Sequence, residues 1–336
     1  MKEMSFSQAI EDALTQAMME DQRVVIFGED VHALRMNLYT RFGEKRVRPA
    51  PISESAFLGA AVGAAMAGLR PFVELIIIDF LAVAADAIVN HAAKVQAFSG
   101  GRWKVPMVIR AGCGGGYGDG GQHGQSLWGW IAHIPGLKVV VPSTPADAGG
   151  LLLSAIADDS PVFFLEPKLL TDDLLEILGS GGRTTVTYDI PIQGQKGMVP
   201  ERWEPIPLGQ AVVRREGSDV TIAGAGVAIH RAWEAADVLS GEGISASIID
   251  LRSIAPLDRD TVVKDVKRTG CLLVVDDDYR DFGLTGELAA AVLESGLPAR
   301  YARVAVEGTI PFDPVRERAA LPNVDRICEA VRGLMK

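Results

Sequence analysis

The chain has 336 residues, 48% hydrophobic and 23% charged, with a net charge of −10. That length is too great for one ordinary core, and the composition is that of a folded globular protein with two domains. The acidic balance argues against nucleic acid or an anionic membrane as partners, because both reward basic patches.

The start, MKEMSFSQAIEDALTQAM, reads as an amphipathic helix carrying acids rather than an export signal. Beyond it, short β-branched runs alternate with Ala-rich stretches, the pattern of parallel α/β layers. Strands are expected at 24–30, 70–78, 106–112, 138–143 and 162–167. Helices are expected in ESAFLGAAVGAAMAGL, FLAVAADAIVNHAAKVQAF, SLWGWIAHI and PADAGGLLLSAIAD. In the last of these, Thr144 is placed to cap the helix, with Pro145 at the first helical position. The longest apolar run is interrupted by Glu74 and stopped at Asp79, too short to span a bilayer. From 168 to 205 the alternation fails and a long linker with one short helix is expected. It resumes with strands at 219–226, 246–251, 271–278 and 302–306. The predicted organisation is α/β throughout: a first domain at 1–170, an extended linker at 171–205 and a second domain at 206–336.

Parallel sheets deliver function at the carboxyl ends of their strands. Four such ends carry candidate groups: GEDV at 28–31, the loop before PISESA, Asp79–Phe80, and the glycine-rich loop at 112–125. Glu54 opens an apolar helix. An acid there is favoured by the helix dipole alone, but the helix is almost wholly small or apolar and is expected to be buried. A carboxyl at the buried end of such a helix is suited to sharing a proton. His123 lies among glycines that offer no side chains to pack against, so a ligand-facing histidine and a solvated one both stand open. His91 and His133 fall in apolar helical stretches and are expected to be structural. His32 sits in a polar loop, and His230 begins a helix of the second domain. No two histidines show metal-ligand spacing, so a protein zinc site is not expected.

Cys113 shares the loop with His123, which raises a Cys–His nucleophile pair; no activating partner can be placed for it. With Cys271 and Cys328 it completes a set too small and scattered for a disulfide framework, and a reducing, cytoplasmic location is expected. The acidic run DDDYRD at 276–281 reads either as solvated charge or as a surface for a partner subunit. The stretch GYGDGGQHGQ contains GDG, the opening of a diphosphate and magnesium signature. That signature needs an asparagine roughly thirty residues later to complete the metal shell. The three asparagines, Asn37, Asn90 and Asn323, do not supply it, so Asp119 is read as a loop residue.

GED at 28–30, PISESAFLGAAVGAAMAGLRP, VPMVIR, QHGQS, HIPGLKVVVPSTPADA and TIPFDP occur in order along nearly the whole chain. Together they resemble the beta subunit of the thiamine-diphosphate-dependent first component of 2-oxo acid dehydrogenase complexes, the pyruvate, branched-chain and acetoin dehydrogenase family. The resemblance implies a transketolase-like pyrimidine-binding domain followed by a transketolase C-terminal domain. It implies an α₂β₂ assembly in which the alpha subunit holds the diphosphate and Mg²⁺, and a lipoyl acyltransferase that receives the acyl group from a small 2-oxo acid. Glu54 matches the glutamate that hydrogen-bonds the aminopyrimidine nitrogen and favours its imino tautomer, which takes the thiazolium proton. Phe80 matches the aromatic residue stacked on the pyrimidine, and Ile76 an apolar residue lining the same pocket. His123 matches a histidine that steadies substrate and assists transfer to the lipoyl group, with Gly124 where serine is usual. Carbonyls of Met107, Ala155, Asp158 and Ser160 match a potassium site. The alternatives are acetoin cleavage by the same machinery, which the sequence does not separate, half of a split transketolase, and a non-catalytic, partner-stabilising subunit. The split transketolase wants a basic cluster for a sugar phosphate, and none stands near His123.

Overall fold

The computed structural model describes residues 1–171 and 191–336. Most of the expected linker, 172–190, therefore lies outside the described residues.

The first domain is built on a seven-stranded sheet. Its order is Ser253–Ala255, Lys138–Val140, Val162–Pro167, Val108–Cys113, Arg70–Ile77, Val24–Glu29, Val47–Ala50. All neighbours are parallel except the first pair. The runs are Val- and Ile-rich because helices cover both faces and leave no polar side. One face packs on helix Phe6–Glu20 and helix Pro145–Ala157. Thr144 caps the latter through the Asp147 N–H, with Pro145 in its first turn, as expected.

The second domain has a five-stranded sheet, ordered Arg300–Val306, Cys271–Tyr279, Val220–Gly224, Ala246–Asp250, Val212–Arg215. The other face of the first sheet shares one apolar core with this domain: Trp128 and Ile131 cluster with Ile249, Leu272 and Leu284. Ser253–Ala255 leaves the second domain to pair antiparallel with Lys138–Val140, so the two domains share a sheet edge as well as a core.

Several short strands were not legible. Lys2–Ser5, expected as the beginning of a helix, is a strand that pairs antiparallel with Lys196–Val199 in the linker. The linker then packs back on the first domain. Trp203 is buried, its indole N–H donating to Asp12 Oδ2 at 2.9 Å and its carbonyl accepting from Gln16. The stretch 80–98 is not one helix: it breaks into a 3₁₀ turn Ile78–Ala82, a π-helical turn Ala87–Ala92 and a short helix Val95–Phe98. Among the described residues, no helix is long and apolar enough to cross a membrane.

Candidate active site

The carboxyl edge of the first sheet gathers the expected residues. Arg70–Ile77 ends in a bulge against Val108–Cys113, and Ile76 takes φ +63°, a left-handed conformation that is an outlier for a β-branched residue. Such strain persists only where the surroundings over-determine it. The surroundings here are ionic. Glu74, two residues earlier, is fully buried between Arg35 Nε at 2.6 Å and Arg110 Nη1 at 3.2 Å. Arg110 also holds buried Glu166, with Nε at 2.7 Å. Burial opposes the charge of Glu74, but the two guanidiniums prevail and keep its carboxyl below the ordinary glutamate range.

The chain then enters the 3₁₀ turn that carries Phe80. The Phe80 ring meets the His123 ring edge-on, with centroids 6.1 Å apart and planes at 88°. Asp79 Oδ1 accepts from the Gln125 side-chain amide at 2.8 Å, and Gln125 Oε1 accepts from the Tyr279 hydroxyl at 2.9 Å. Asp79 Oδ2 is buried with no partner among the described residues, and burial raises this carboxyl above its usual range. Ser55 Oγ donates to the Val83 carbonyl at 2.5 Å, tying the start of helix Glu54–Met66 to the turn after Phe80.

Glu54 is 8% exposed, and among the described residues its carboxylate has no hydrogen-bond partner. Its neighbour in charge is Glu29, in the GED motif: burial, then Glu54, then Asp30 raise the Glu29 carboxyl above its usual range. Two carboxylates side by side, with no cation partner among the described residues, make an acceptor-rich edge. The expectation that helix Glu54–Met66 is wholly buried fails on its outer side. Ala56, Gly59, Ala60 and Gly63 are exposed, as are Ile52 and Val83 nearby.

The glycine loop is anchored from the second domain. Glu317 accepts from the Gly116 N–H at 2.9 Å and the Gly118 N–H at 2.7 Å. Asp278 accepts from the Leu127 N–H at 3.2 Å and the Gly129 N–H at 2.8 Å. Asp276 accepts from the Trp128 indole at 2.9 Å. The DDDYRD run is thus neither wholly solvated nor an outer surface, since Asp276 and Asp278 are buried in the seam between the domains. Burial raises all three of its leading carboxyls, Asp277 to about 7. Between these anchors His123 is exposed. Gly124 now has a local reason: a Cβ there would stand 2.8 Å from the Gly120 carbonyl oxygen, so this loop conformation excludes serine.

Asp119 is buried in the loop and contributes negative charge at Lys168, in agreement with its reading as a loop residue. Cys113 is buried at the end of its strand, and burial pushes its thiol up, which disfavours a thiolate nucleophile. His91 and His133 are exposed rather than structural; His91 lies 3.3 Å from Asp86. His230 is the buried one, its Nε2 2.7 Å from the Ser143 carbonyl across the domain seam. Around the suggested potassium ligands, the Asp158 carbonyl accepts from Arg70 at 3.1 Å and the Met107 carbonyl from the Val162 N–H at 2.9 Å. Sequence reading flagged the strand ends at GEDV and Asp79–Phe80 without giving Glu29 or Asp79 a role, and it missed Gln125 and Lys168. An acid or lysine just past a strand end was the available signal, and it is common in any α/β protein. A cavity of about 460 Å³ lies elsewhere, behind the glycine loop between Cys113, Trp128, Val227 and Leu321. The Glu54–Phe80–His123 edge is, by contrast, an open face.

Known proteins match this chain over nearly its whole length. The transketolase pyrimidine binding domain matches residues 2–172, and the transketolase C-terminal domain matches residues 209–327. The chain is 39% identical to the acetoin:2,6-dichlorophenolindophenol oxidoreductase subunit beta of Cupriavidus necator, covering 100% of this chain and 98% of that one. It is 38% identical to the pyruvate dehydrogenase E1 component subunit beta of Rickettsia felis, covering 97% and 96%. It is 36% identical to the 2-oxoisovalerate dehydrogenase subunit beta of Bacillus subtilis, covering 99% of each. In fold it resembles a split-gene transketolase solved as an inactive β4 tetramer, with TM-score 0.77, 22% identity and coverage of 99% and 98%. The chain belongs to the transketolase-like family that includes the beta subunits of pyruvate, 2-oxoisovalerate and acetoin dehydrogenases.

Proposed function

We propose that this chain is the cofactor-activating beta half of a thiamine-diphosphate-dependent 2-oxo acid dehydrogenase. In this reading it decarboxylates a pyruvate- or branched-chain-type acid and acylates a lipoyl domain together with an alpha subunit. The observation that carries the reading is the buried, unpartnered Glu54 carboxylate beside Glu29, at the edge where Phe80 meets His123. That donor-poor edge fits an aminopyrimidine, which brings N–H groups to carboxylates left without cations among the described residues. When bound, thiamine diphosphate supplies a nucleophilic carbon and a sink for the electrons released by decarboxylation.

The chain's own residues then divide the work. Glu54 shares a proton with the pyrimidine ring nitrogen. Phe80 offers its ring as a stacking surface, and the strained backbone at Ile76 brings an apolar side chain to the same pocket. His123, exposed on the open side, meets the 2-oxo acid and the lipoyl arm. The diphosphate and Mg²⁺ belong to the alpha subunit, because this chain lacks the asparagine that completes the GDG signature. The bare small-residue side of helix Glu54–Met66, with Ile52 at 78% and Val83 at 58% exposure, is apolar surface that an alpha partner would cover. The lipoyl acyltransferase is the partner that would receive the acyl group. Potassium on the carbonyls of Met107, Ala155, Asp158 and Ser160 would share oxygens with donors already present at two of them.

Relatives named for a 2-oxo acid and for acetoin match almost equally. The test is therefore the chain co-expressed with its cognate alpha subunit and assayed with pyruvate, 2-oxoisovalerate and acetoin. Cofactor-dependent turnover of a 2-oxo acid with reduction of a lipoyl domain is expected. Turnover of acetoin alone would replace the substrate assignment. No turnover of any of the three by an assembled, cofactor-loaded pair would overturn the reading.

A further inference from the structure

We propose that Lys168 is a positioning residue whose buried ammonium holds the backbone of His123 and so sets where the imidazole stands on the open face. The proposal rests on the role given to His123 above.

Lys168 lies in the turn Lys168–Leu170, directly after strand Val162–Pro167, and is only 2% exposed. Its Nζ donates to the His123 carbonyl oxygen and stands 5.1 Å from the centre of the Tyr117 ring. The Tyr117 hydroxyl in turn donates to the Lys168 carbonyl. One short turn at the strand end thus grips the glycine loop at two places six residues apart.

The grip falls where the other anchors stop. Glu317 fixes Gly116 and Gly118, and Asp278 fixes Leu127 and Gly129. Between them stand Gly118, with φ +73°, and Gly120, with φ +65°, backbone that many conformations could satisfy. A loop so built does not place a histidine by its own stiffness.

Burying an ammonium costs several kcal/mol, and a methionine of similar length would fill the space without that penalty. Keeping the charge is explained if the charge itself does something. Burial pulls the Lys168 amine below its usual range, the facing Asp79, Asp119, Cys113 and Glu317 oppose that pull, and the acceptor it contacts is the His123 carbonyl. Asp79 adds a second link, because it holds Gln125 two residues beyond His123 while its other oxygen has no partner. The turn after Ile77 and the turn after Pro167 therefore close on the loop from both sides of strand Val108–Cys113.

The test uses the assembled alpha–beta enzyme loaded with cofactor. Lys168→Met is expected to lower kcat ~10- to 100-fold at unchanged KM, the loss of one charge-assisted hydrogen bond. Cofactor affinity should be unchanged, and in Lys168→Ala, which leaves the space a methionine would fill, tens of millimolar ethylammonium chloride should restore part of the rate. Independently of turnover, the rate at which diethyl pyrocarbonate modifies His123, read by peptide mass spectrometry without added amine, should shift several-fold in Lys168→Met. Unchanged kcat and unchanged modification rate would overturn the proposal. So would a loss of cofactor affinity in step with kcat and no amine rescue, which would make Lys168 merely structural. Should Lys168→Met fail to assemble, Tyr117→Phe keeps the ring and drops the hydrogen bond to the Lys168 carbonyl. It should move both readouts about two- to fivefold, and no movement in either would sink the idea. If His123→Ala leaves turnover intact while Lys168→Met still shifts the modification rate, positioning stands and the functional reading of His123 fails.

Discussion

Two pairs of carboxylates in the first domain make an instructive contrast. Glu74 and Glu166 are buried behind the sheet edge, and the chain gives them Arg35 and Arg110. Glu29 and Glu54 stand at the edge itself, and the chain gives them each other. The first arrangement is complete and holds the bulge that strains Ile76. The second is incomplete, with no cation partner among the described residues. That contrast between paired and unpaired acids is what singles out the second place as the candidate ligand site proposed above.

The largest expected effect tests the unpaired acid. Glu54→Ala, in the assembled enzyme, should lower decarboxylation ~10²- to 10⁴-fold, the usual worth of a positioned proton-transfer group. The thermal midpoint of the chain should hardly move, because no protein partner is lost. A stability loss comparable to that of Glu74→Gln would break the contrast. Glu74→Gln should do the opposite, costing about 3–5 kcal/mol in denaturant unfolding by leaving two buried guanidiniums short of charge. Its sign with pH is that of a depressed acid. The stability that Glu74 contributes is present above the ordinary glutamate range and lost as pH falls through its lowered value, and the glutamine variant should lack that acid-side loss. Gly124→Ser should cost about 1–3 kcal/mol, since its Cβ meets backbone rather than a yielding side chain. Equal stability would show that the loop relaxes easily.

The carboxylates of the domain seam sharpen the comparison as an intermediate case, served mostly by backbone N–H groups. Asp277, at about 7, holds its proton in the folded chain where the unfolded chain would already have lost it. Its contribution is full below the ordinary aspartate range and drains as pH rises to 7. Asp277→Asn should flatten that part of the denaturation midpoint against pH, and an unaltered slope would remove Asp277 from the account. The smallest effect concerns potassium. If the carbonyls near Asp158 bind it, KCl should raise the thermal midpoint by about 2 °C over equal NaCl. Identical midpoints would dismiss the ion.

Glu54, Phe80 and His123 stood out in the sequence because they flank apolar stretches or lie in a glycine loop after a strand, and strand ends are where parallel sheets expose function; the structure brings the Phe80 and His123 rings together. The longest strands and the capped helix at Pro145 were legible for the same reason: local pattern and tertiary demand agree there. Lys2–Ser5 and Ser253–Ala255 were not, since three or four residues carry no period and become strands only because a distant segment offers its hydrogen bonds. The acids at 276–278 read as surface for a similar reason. A carboxylate is expected in water unless donors arrive from elsewhere, and here Leu127, Trp128 and Gly129 bring them from the other domain.

By itself the sequence determined the alternation of strand and helix, the two α/β domains and the residue types at the candidate edge, because these follow from periodicity and from chemistry carried by single side chains. Only the tertiary structure decided which acids are paired, why position 124 is glycine, and that a lysine from one strand end grips the histidine of another. Those are facts about distances between segments far apart in the chain, and such distances leave no local trace.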